Sequence, residues 1–361
     1  MKIVHALAYY GNYLGGIQNY VKELSERQKK QGHEVKIITS DLYGKKKRVS
    51  GVEIIRAKTW FSAFRVPFMP SLLYKMLKED CDVLHVHLPL PGLDISAVLK
   101  KLIHKKTKLI ITIHNYIPIN SKLSSFFAWV HNKILIRFPL MASDAVIVTT
   151  KGFSESLDYN IPEGRERIIP LGVDLKYFYP SKKHDKNSVL FVGRMIPEKG
   201  LHVLAEAMNS VRKKFKNAQL TAICSETYNY GEYEKKVRKL DKSGFLKIIK
   251  NVPHKKIRKY YASSACLVMP SLDLDSFGFV LIEAMACGCP VISSNLPGPS
   301  SVVNKKCGIV VPKGNVKKLS EAIISILKDQ EKFRTPCIDY ARKNFSSNTV
   351  YKNVMKVYNE K

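Results

Sequence analysis

The sequence contains few cysteines and no arrangement of them that forms a metal site or a disulfide framework. Its seven cysteines are scattered along 361 residues without any C-x-x-C pair. An odd, scattered set of this kind is typical of a reducing compartment, and it excludes a disulfide-dense secreted domain and a cysteine zinc site. We therefore expect a protein of the cytoplasm.

Long hydrophobic runs are also missing. Charged residues interrupt every apolar run well before the roughly 18 residues that a membrane-spanning helix requires, and Lys133 and Arg137 interrupt the longest candidate. The apolar stretch 3–8 is too short for a signal-peptide core and is better interpreted as a first strand. No segment is expected to cross a bilayer, and the mature protein is expected to begin at Met1.

Acidic residues are scarce relative to basic ones. The chain has 60 Lys and Arg against 30 Asp and Glu, which gives a formal net charge of +30 at pH 7 spread over both halves. Such a balance predicts an anionic partner: a nucleic acid, a phosphorylated ligand or an anionic membrane surface. The remaining composition, 45% hydrophobic and 25% charged, is that of an ordinary globular protein, and the length indicates two domains.

Short β-rich runs alternate with segments of helical period along the chain. Strands are predicted at 2–7, 35–39, 52–56, 82–86, 108–113 and 144–148, and in a second series at 188–192, 219–223, 266–269 and 290–293. Between the first two strands, Ile17, Tyr20, Val21 and Leu24 lie at helical spacing, and Gly32 is placed as a C-terminal cap. This alternation predicts an α/β protein with two Rossmann-like domains built on parallel sheets.

The domain boundary is expected where turn residues and charges replace the alternation, at 170–174 and 180–186. We predict an N-terminal domain over 1–170, a hinge over 171–187, a C-terminal domain over 188–343 and a C-terminal helix over 344–361 that packs back on the N-terminal domain. Open parallel sheets bind ligands at the carboxyl ends of their strands, so the chemistry is expected in a cleft between the two domains.

A loop with candidate chemistry follows the first strand of each half and precedes a helix. Gly15 and Gly16 end the first loop, whose spacing matches no dinucleotide or P-loop pattern and fits a phosphate-binding turn or a plain tight turn equally well. Arg194 and Lys199 lie on the second loop, where they either grip adjacent phosphates or remain solvated charges.

Carboxylates and histidines supply the other candidates. Asp275 and Glu283 flank an apolar stretch, and a buried Glu283 would need a ligand hydroxyl or backbone amides as its partner. His114 ends an apolar strand, where it contacts either a ligand or neighbouring backbone. His85 and His87 also end a strand, but no cysteine or carboxylate accompanies them, so we interpret the pair as hydrogen-bonded and predict no metal site.

Taken in order, these motifs resemble those of the retaining glycosyltransferases of family four, which have the GT-B fold. In the first half the matching positions are Gly15-Gly16, 32–35 (GHEV), 82–87 (DVLHVH), 112–114 (TIH) and 169–174 (IPLGVD). In the second half they are 193–194, 199–200, 270–271, 277–278 and 283–288. The resemblance covers nearly the whole chain and implies two Rossmann-like domains facing across a cleft.

The resemblance also implies roles for single residues. The backbone at Gly15 and Gly16 would approach the donor diphosphate. Arg194 and Lys199 would neutralise that diphosphate as it leaves. His114 would contact the transferred sugar.

Further roles follow from the acidic signature of the family. Asp275 corresponds to the first acid of its E-x7-E motif, Phe277 and Gly278 would offer backbone contacts, and Glu283 would hold the ribose hydroxyls. The family usually has Glu where this chain has Asp275, and Leu171 stands where Asn is common. The resemblance therefore does not identify the sugar.

The implied activity is that of a retaining hexosyltransferase that needs no metal and no other cofactor. It would move a sugar from a UDP- or GDP-sugar, bound by the C-terminal domain, to a hydroxyl of a glycan or lipid-linked acceptor, bound by the N-terminal domain. The expected role is glycolipid or surface-polysaccharide assembly by a cytoplasmic enzyme, peripheral on the inner face of the cell membrane. Two alternatives are a GT-B nucleotide-sugar epimerase and a nucleic-acid-binding protein, although no reading motif for nucleic acid is evident.

Two aromatic and basic segments motivate the membrane surface as a partner. Residues 60–68 and 126–129, the latter followed by Lys133 and Arg137, mix both residue types as an interfacial surface does. The cluster 45–48 and Lys101, Lys105, Lys106 and Lys108 add positive charge. The alternative is that the aromatic residues pack in the core and the charges form a solvated face.

Overall fold

The computed structural model describes residues 1–11, 15–63, 66–89, 93–115, 129–181, 184–225, 230–273 and 275–360. The chain divides into two compact units. The first comprises Met1–Thr149, Ser154–Ile169 and Tyr351–Lys361, and the second comprises Thr150–Phe153 and Pro170–Val350. No helix among the described residues is long and apolar enough to cross a bilayer.

The first unit contains an eight-stranded sheet and a separate hairpin. The strands are β1 (Lys2–Ala6), β2 (Glu34–Ser40), β3 (Arg48–Val49), β4 (Val52–Ala57), β5 (Phe61–Ala63), β6 (Val66–Phe68), β7 (Val83–Leu88), β8 (Lys108–Ile113), β9 (Ala145–Val148) and β10 (Glu166–Ile168). The order in the sheet is β10-β9-β8-β7-β1-β2-β4-β3, while β5 and β6 form the hairpin. The edge strand β3 is antiparallel to β4, and the other pairings in the sheet are parallel.

Helices cross between these strands. They are α1 (Gly16–Lys30), α2 (Leu72–Lys78), α3 (Leu93–Ile103) and α4 (Arg137–Ala142), which is preceded by a π-helical turn at His131–Leu135, and α5 (Lys151–Ser156) follows β9. In α1 the predicted apolar stripe is confirmed, because Tyr20, Val21 and Leu24 are buried. The predicted cap is confirmed as well: Gly32 has a φ of +85°, and the amide of His33 donates to the carbonyl of Gln28 at 3.2 Å.

The second unit has a six-stranded parallel sheet. Its strands are β11 (Ser188–Arg194), β12 (Gln219–Ser225), β13 (Leu246–Lys250), β14 (Cys266–Met269), β15 (Val291–Ser294) and β16 (Gly308–Val311). They are ordered β13-β12-β11-β14-β15-β16, which is the doubly wound arrangement, with its switch point between β11 and β14. The Rossmann-like prediction for this half is confirmed.

The helices of the second unit cover both faces of its sheet. They are α6 (Leu201–Lys214), α7 (Tyr230–Lys239), α8 (His254–Ser263), α9 (Phe279–Ala286), α10 (Pro297–Val302), α11 (Val316–Lys328) and α12 (Glu331–Phe345), followed by the C-terminal α13 (Ser347–Asn359). Leu204 and Met208 of α6 and Ile323 of α11 pack on Val189 and Phe191 of β11 in one buried cluster. Burying each such side chain stabilises the fold by roughly 1.5–3 kcal/mol.

The unit boundaries differ in detail from the predicted domain limits. The segment predicted as a hinge groups with the second unit, where the amide of Val173 donates to the carbonyl of Phe345 at 2.8 Å and the ring of Phe178 lies 5.3 Å from that of His254. Residues 150–153 also belong to the second unit because Gly152 packs so closely that an added Cβ would lie 2.5 Å from the carbonyl of Pro297. The hinge itself stays a prediction.

The end of α13 belongs to the first unit. The Tyr358 hydroxyl lies 2.6 Å from Nδ1 of His85, and Lys108 Nζ donates to the carbonyl of Val357 at 2.9 Å. Arg167 pairs with the carboxylate of Glu360 at 2.7 Å. These contacts attach the last turns of the chain to the sheet formed by its first half.

Candidate active site

Arg194 and Lys199 lie beside the switch point of the second sheet. Arg194 is exposed at the carboxyl end of β11, and Lys199 ends a 3-10 turn at Pro197–Lys199. The turn is held against the residues that follow β14, since the amide of Leu272 donates to the carbonyl of Glu198 at 2.8 Å. Both cations are therefore presented where doubly wound sheets bind their ligands.

Gly200 permits this close packing. It has a φ of +71°, and a Cβ at this position would lie 2.0 Å from the carbonyl oxygen of Pro270. Only glycine satisfies both the left-handed backbone and the contact. The loop that carries Lys199 is thus fixed by local geometry.

The structure brings Lys199 and Asp275 together. Lys199 Nζ donates to Oδ2 of Asp275, and the side chains are 22% and 17% exposed. The ammonium group is oriented by this ion pair without being removed from solvent. Charge-assisted contacts of this kind restrict a flexible lysine to one position.

Glu283 is buried in α9 and has two side-chain partners. His254 Nε2 lies 2.6 Å from Oε1, and the Tyr261 hydroxyl donates to Oε2 at 2.8 Å. Burial lowers the pKa of His254, but the hydrogen bond and charge of Glu283 outweigh it and raise this pKa above its usual value. The partners are thus side chains of α8, not the backbone amides of the alternative interpretation.

Sequence reasoning missed His254 and Tyr261. The available signal was the position of His254, which begins α8 directly after Pro253 and so follows the carboxyl end of β13. Tyr261 lies seven positions later, two turns along the same helix. Nothing in the spacing to Glu283 indicates the contact.

Phe277 and Gly278 precede α9. The Phe277 side chain is buried and packs edge-on against Phe345 with ring centroids 6.0 Å apart. Gly278 has a φ of +84°, and a Cβ there would lie 2.8 Å from Leu281 Cδ1. The side chain of Phe277 serves packing, so any ligand contact at this turn would fall to the backbone.

Gly15 and Gly16 lie at the N-terminus of α1 in the first unit. Gly15 is extended, with φ −124° and ψ 174°. Among the described residues no side chain caps the helix, and no acidic residue occupies its first turn. The glycines are therefore not required for a left-handed turn. Helix N-termini of this composition favour an anion.

His114 follows β8 and is buried in the first unit. Its Nε2 lies 3.0 Å from Nδ1 of His87, whereas its Nδ1 is buried and has no hydrogen-bond partner among the residues that the structure describes. Burial lowers the pKa of His114 to about 3, so the ring is neutral at pH 7. No backbone group of the described residues bonds to the ring, whose partner is the side chain of His87 and not the neighbouring backbone of the alternative interpretation.

Three buried histidines, His5, His85 and His87, form the group with metal-ligand geometry among the described residues. Their ligand nitrogens lie within 4.8 Å of one another. The sequence indicated only two of them, because His5 lies on a different strand. Hydrogen bonds occupy these nitrogens: His5 bonds to Gln28 and His87, and His85 bonds to Tyr358 and Thr112.

Two family models match consecutive parts of the chain. The family described as glycosyl transferases group 1 matches residues 176–344, and Glycosyltransferase Family 4 matches residues 14–177. An uncharacterized glycosyltransferase of Methanocaldococcus jannaschii is 27% identical over 100% of this chain and 98% of its own length. A phosphatidyl-myo-inositol mannosyltransferase of Mycolicibacterium smegmatis is 28% identical over 92% of this chain and 86% of its own.

Solved structures share the fold along the whole chain. Sucrose-phosphate synthase from Thermosynechococcus elongatus superposes with a TM-score of 0.77 at 21% identity, covering 99% of this chain and 98% of its own. HepE from Anabaena, in complex with UDP and glucose, superposes with a TM-score of 0.78 at 15% identity and the same coverage. Because the two family matches run consecutively from residue 14 to residue 344, the chain belongs to the glycosyl transferases of group 1 and is a glycosyltransferase with the GT-B fold.

Proposed function

We propose that this glycosyltransferase is a retaining hexosyltransferase that uses a UDP- or GDP-sugar and requires no metal. The observation that carries the proposal is the position of Arg194 at the carboxyl end of β11 and of Lys199 on the turn that follows, beside the switch point of the sheet. Negative charge builds on the diphosphate as the glycosidic bond breaks. Two preorganised cations stabilise that charge in the place where other enzymes use a metal ion.

Asp275 supports the proposed contact of Lys199 with the diphosphate in two ways. Its carboxylate holds the ammonium group in the ligand-free protein, so little reorganisation is needed when a phosphate arrives. It also lies within reach of whatever Lys199 binds, which supports a second role in contacting the transferred sugar. The retained configuration at the anomeric carbon is the part of the proposal that rests on the family resemblance.

Glu283 can accept further hydrogen bonds, which the ribose hydroxyls of the donor would supply. A carboxylate has about four lone-pair sites, and His254 and Tyr261 use one on each oxygen. These two partners fix the carboxylate orientation, which favours a hydrogen bond in a defined direction. Phe277 and Gly278 would contribute backbone contacts from the turn before the same helix.

We further propose that the acceptor is lipid-linked and that the first unit binds an anionic membrane surface. Ile134, Phe138 and Met141 lie at helical spacing on the π-helical turn and α4, and they are 46%, 56% and 67% exposed. Arg137 is exposed beside them. An exposed apolar stripe next to basic residues is typical of an interfacial helix, and one relative is a phosphatidyl-myo-inositol mannosyltransferase by name.

Aromatic residues of the β5–β6 hairpin extend the argument. Trp60, Phe61 and Phe68 are largely exposed, and the ring of Phe68 packs against the other two. Trp129 is exposed at the other predicted segment. These positions do not pack in the core, which favours the interfacial interpretation. Phe64, Arg65 and residues 126–128 lie outside the described residues.

Some of the basic residues predicted to face the membrane are exposed, and others are bonded to neighbouring groups of the protein. The cluster 45–48 is exposed, as are Lys105 and Lys106. Lys101 pairs with Asp144 at 2.7 Å, and Lys108 is bound to backbone carbonyls of the C-terminal segment. The exposed basic residues would therefore provide the attraction to an anionic leaflet. Each one near the membrane surface contributes about 1 kcal/mol of binding free energy.

Donor screening tests the proposed reaction. UDP-glucose, GDP-mannose and other nucleotide-sugars are incubated with the protein and assayed for slow donor hydrolysis, for thermal stabilisation and for transfer to lipid extracts. We expect one donor class to be turned over, and the product to keep the anomeric configuration of the donor in its NMR spectrum. An inverted product excludes the retaining mechanism, and binding of RNA or DNA without any donor turnover favours the nucleic-acid alternative.

Vesicle sedimentation tests the membrane face. Phe138→Ser together with Met141→Ser should reduce binding to anionic phosphatidylglycerol vesicles, because both side chains are exposed and apolar. Ile168→Ser is the matched control, since Ile168 is 43% exposed in β10 of the same unit. Wild-type protein that stays wholly in the supernatant at low salt excludes autonomous docking and favours a glycan acceptor in solution.

A further inference from the structure

A continuous chain of hydrogen bonds runs through the core of the first unit and ends at His114. The carbonyl oxygen Oε1 of Gln28 lies 2.7 Å from Nε2 of His5, and Nδ1 of His5 lies 3.0 Å from Nε2 of His87. Nδ1 of His87 then lies 3.0 Å from Nε2 of His114. All four side chains are buried, and they come from α1, β1, β7 and the end of β8.

The register of the parallel strands creates this chain. His5 is paired with His85 across β1 and β7, and His87 is paired with Thr112 across β7 and β8. His87 and His114 therefore each lie two residues nearer the carboxyl edge of the sheet than the histidine before them in the chain of hydrogen bonds. His114, one residue beyond β8, is the last in this series.

Burial keeps these rings neutral. It lowers the pKa of His5 to about 4 and that of His114 to about 3. For His87, burial lowers the pKa well below its usual value, and the neighbouring histidines add to the effect. Each ring therefore carries one proton at pH 7, and each hydrogen bond in the chain contains one proton.

Gln28 sets the direction in which those protons point. Its amide Nε2 faces Met355 Sδ at 3.9 Å and the Tyr358 hydroxyl at 3.5 Å. A thioether accepts but cannot donate, so the NH₂ group belongs on that side and the carbonyl oxygen belongs next to His5. His5 must then donate from Nε2, which leaves its Nδ1 as an acceptor for His87.

The same alternation continues to the end of the chain. His87 donates from Nε2 and accepts at Nδ1, so His114 also donates from Nε2. The remaining nitrogen of His114, Nδ1, carries a lone pair, is buried and has no partner among the described residues. A buried acceptor without a partner destabilises a protein unless a water or a ligand group donates a hydrogen bond to it.

We propose that Gln28, His5 and His87 form a tautomer relay that fixes Nδ1 of His114 as a hydrogen-bond acceptor for a hydroxyl group of the bound substrate. The three relay members are positioning residues, and only His114 contacts the ligand. The relay selects groups that donate a hydrogen bond, such as a sugar hydroxyl, and disfavours groups that only accept, such as a carboxylate. The assignment of that hydroxyl to a sugar rests on the proposed function, whereas the tautomer of His114 follows from the hydrogen bonds alone.

The tautomer can be measured in the ligand-free protein by long-range ¹H–¹⁵N spectra of ¹⁵N-histidine-labelled chain, with His114→Gln identifying the His114 signals. We expect His114 to carry its proton on Nε2 in the wild type. A proton on Nδ1 in the wild type overturns the proposal. This result needs no variant of the relay and no substrate.

A relay variant tests the role of Gln28. Gln28→Leu removes the accepting oxygen 2.7 Å from His5, so we expect His114 to shift toward the tautomer that carries its proton on Nδ1. Thr112→Val is the matched control, because Thr112 bonds to His85 at 2.6 Å in the same cluster and lies outside the relay. An unchanged His114 tautomer in folded Gln28→Leu overturns the relay.

Kinetics connect the relay to the substrate. With UDP-glucose or GDP-mannose, whichever is turned over, Gln28→Leu should lower kcat/KM about tenfold, as the loss of one oriented hydrogen bond does, and Thr112→Val should leave it unchanged. Turnover that is unaffected by Gln28→Leu, despite a reversed tautomer, overturns the ligand contact. If no nucleotide-sugar is turned over, the proposed function fails, while the NMR result still decides the tautomer.

Discussion

At the scale of single residues, Lys199 and Arg194 are proposed to make different contacts with the leaving diphosphate. Lys199 is held by Asp275, while Arg194 is exposed at the end of its strand. A point charge in a fixed position and a planar guanidinium make different contacts, so neither replaces the other. Both side chains lie outside the buried core, which separates their proposed catalytic effect from folding.

We therefore expect Lys199→Ala and Arg194→Ala each to lower kcat strongly while the fold remains intact. Loss of one preorganised contact typically raises the barrier by about 3–4 kcal/mol, a factor of roughly 10²–10³. Lys213→Ala, an exposed lysine on α6, is the control and should retain full turnover. Near-normal kcat in either folded site variant rules out its phosphate contact.

The buried histidines predict acid sensitivity of the fold. His5 and His114 have pKa values lowered to about 4 and about 3, against about 6.5 in an unfolded chain. Below pH 6.5 the unfolded state binds protons that the folded state excludes, so stability is complete above this pH and falls as the pH decreases. His254 opposes the trend, because its raised pKa adds stability below pH 6.5 that is lost as the pH rises through its folded pKa.

Between pH 7 and pH 5 we expect the urea midpoint of the first unit to fall. Each of His5 and His114 contributes a loss of about 2 kcal/mol over that interval, calculated at about 1.4 kcal/mol per pKa unit. Fluorescence and circular dichroism transitions at several pH values measure it, with the interval from pH 8 to pH 7 as the control. A midpoint that rises or stays constant down to pH 5 contradicts neutral, buried imidazoles.

At the scale of elements, the turn between β11 and α6 is the part of the site with the strictest backbone requirement. Gly200 combines a left-handed φ with a contact that leaves no space for a side chain. Gly278, before α9, has the same combination with softer neighbours, since a Cβ there would meet side-chain atoms of Leu281 and Met269. Such turns position ligand-binding groups by excluding alternative backbone conformations.

Gly200→Ala should destabilise the second unit more than an alanine at an open left-handed glycine. Gly244 has a φ of +68° with nothing within 4 Å of an added Cβ, so Gly244→Ala should cost only about 1–2 kcal/mol. Gly200→Ala adds the clash with the Pro270 carbonyl and should cost clearly more in urea unfolding. Equal losses in the two variants contradict the contact.

At the scale of the whole molecule, the two units carry separate parts of the proposed reaction. The first contains the histidine relay and the exposed apolar stripe, and the second contains the cations and Glu283. In the proposed reaction, the side chains of Arg194 and Lys199, rather than a bound cation, supply the electrostatic part of catalysis.

Transfer should therefore persist in excess EDTA. The assay uses the donor that shows turnover, with and without chelator, and a metal-dependent glycosyltransferase of another family verifies that the chelator is effective. Loss of activity that magnesium or manganese restores contradicts the proposed role of Arg194 and Lys199 in place of a metal.

The sequence by itself determined the order of strands and helices and therefore the Rossmann-like halves. Hydrophobic period is a local property, so the stripe of α1 and the strands from β1 to β15 at predicted positions could be identified from neighbouring residues. It missed β3, β5, β6, β10, β13 and β16, most of which are short or lie at sheet edges, where packing gives little apolar signal. The loops at Gly15 and Arg194 were identifiable because each follows the first strand of its sheet.

Only the tertiary structure decided which site residues have partners. Lys199 and Asp275 are 76 positions apart, Glu283 and His254 are 29 apart, and His5 and His87 are 82 apart. The first two pairs depend on the strand order of the second sheet. The third depends on the register of β1, β7 and β8, in which a shift of one residue would turn every side chain to the other face of the sheet. Contacts set by register carry no local pattern, and for that reason only the folded chain shows that Nδ1 of His114 has no partner among the described residues.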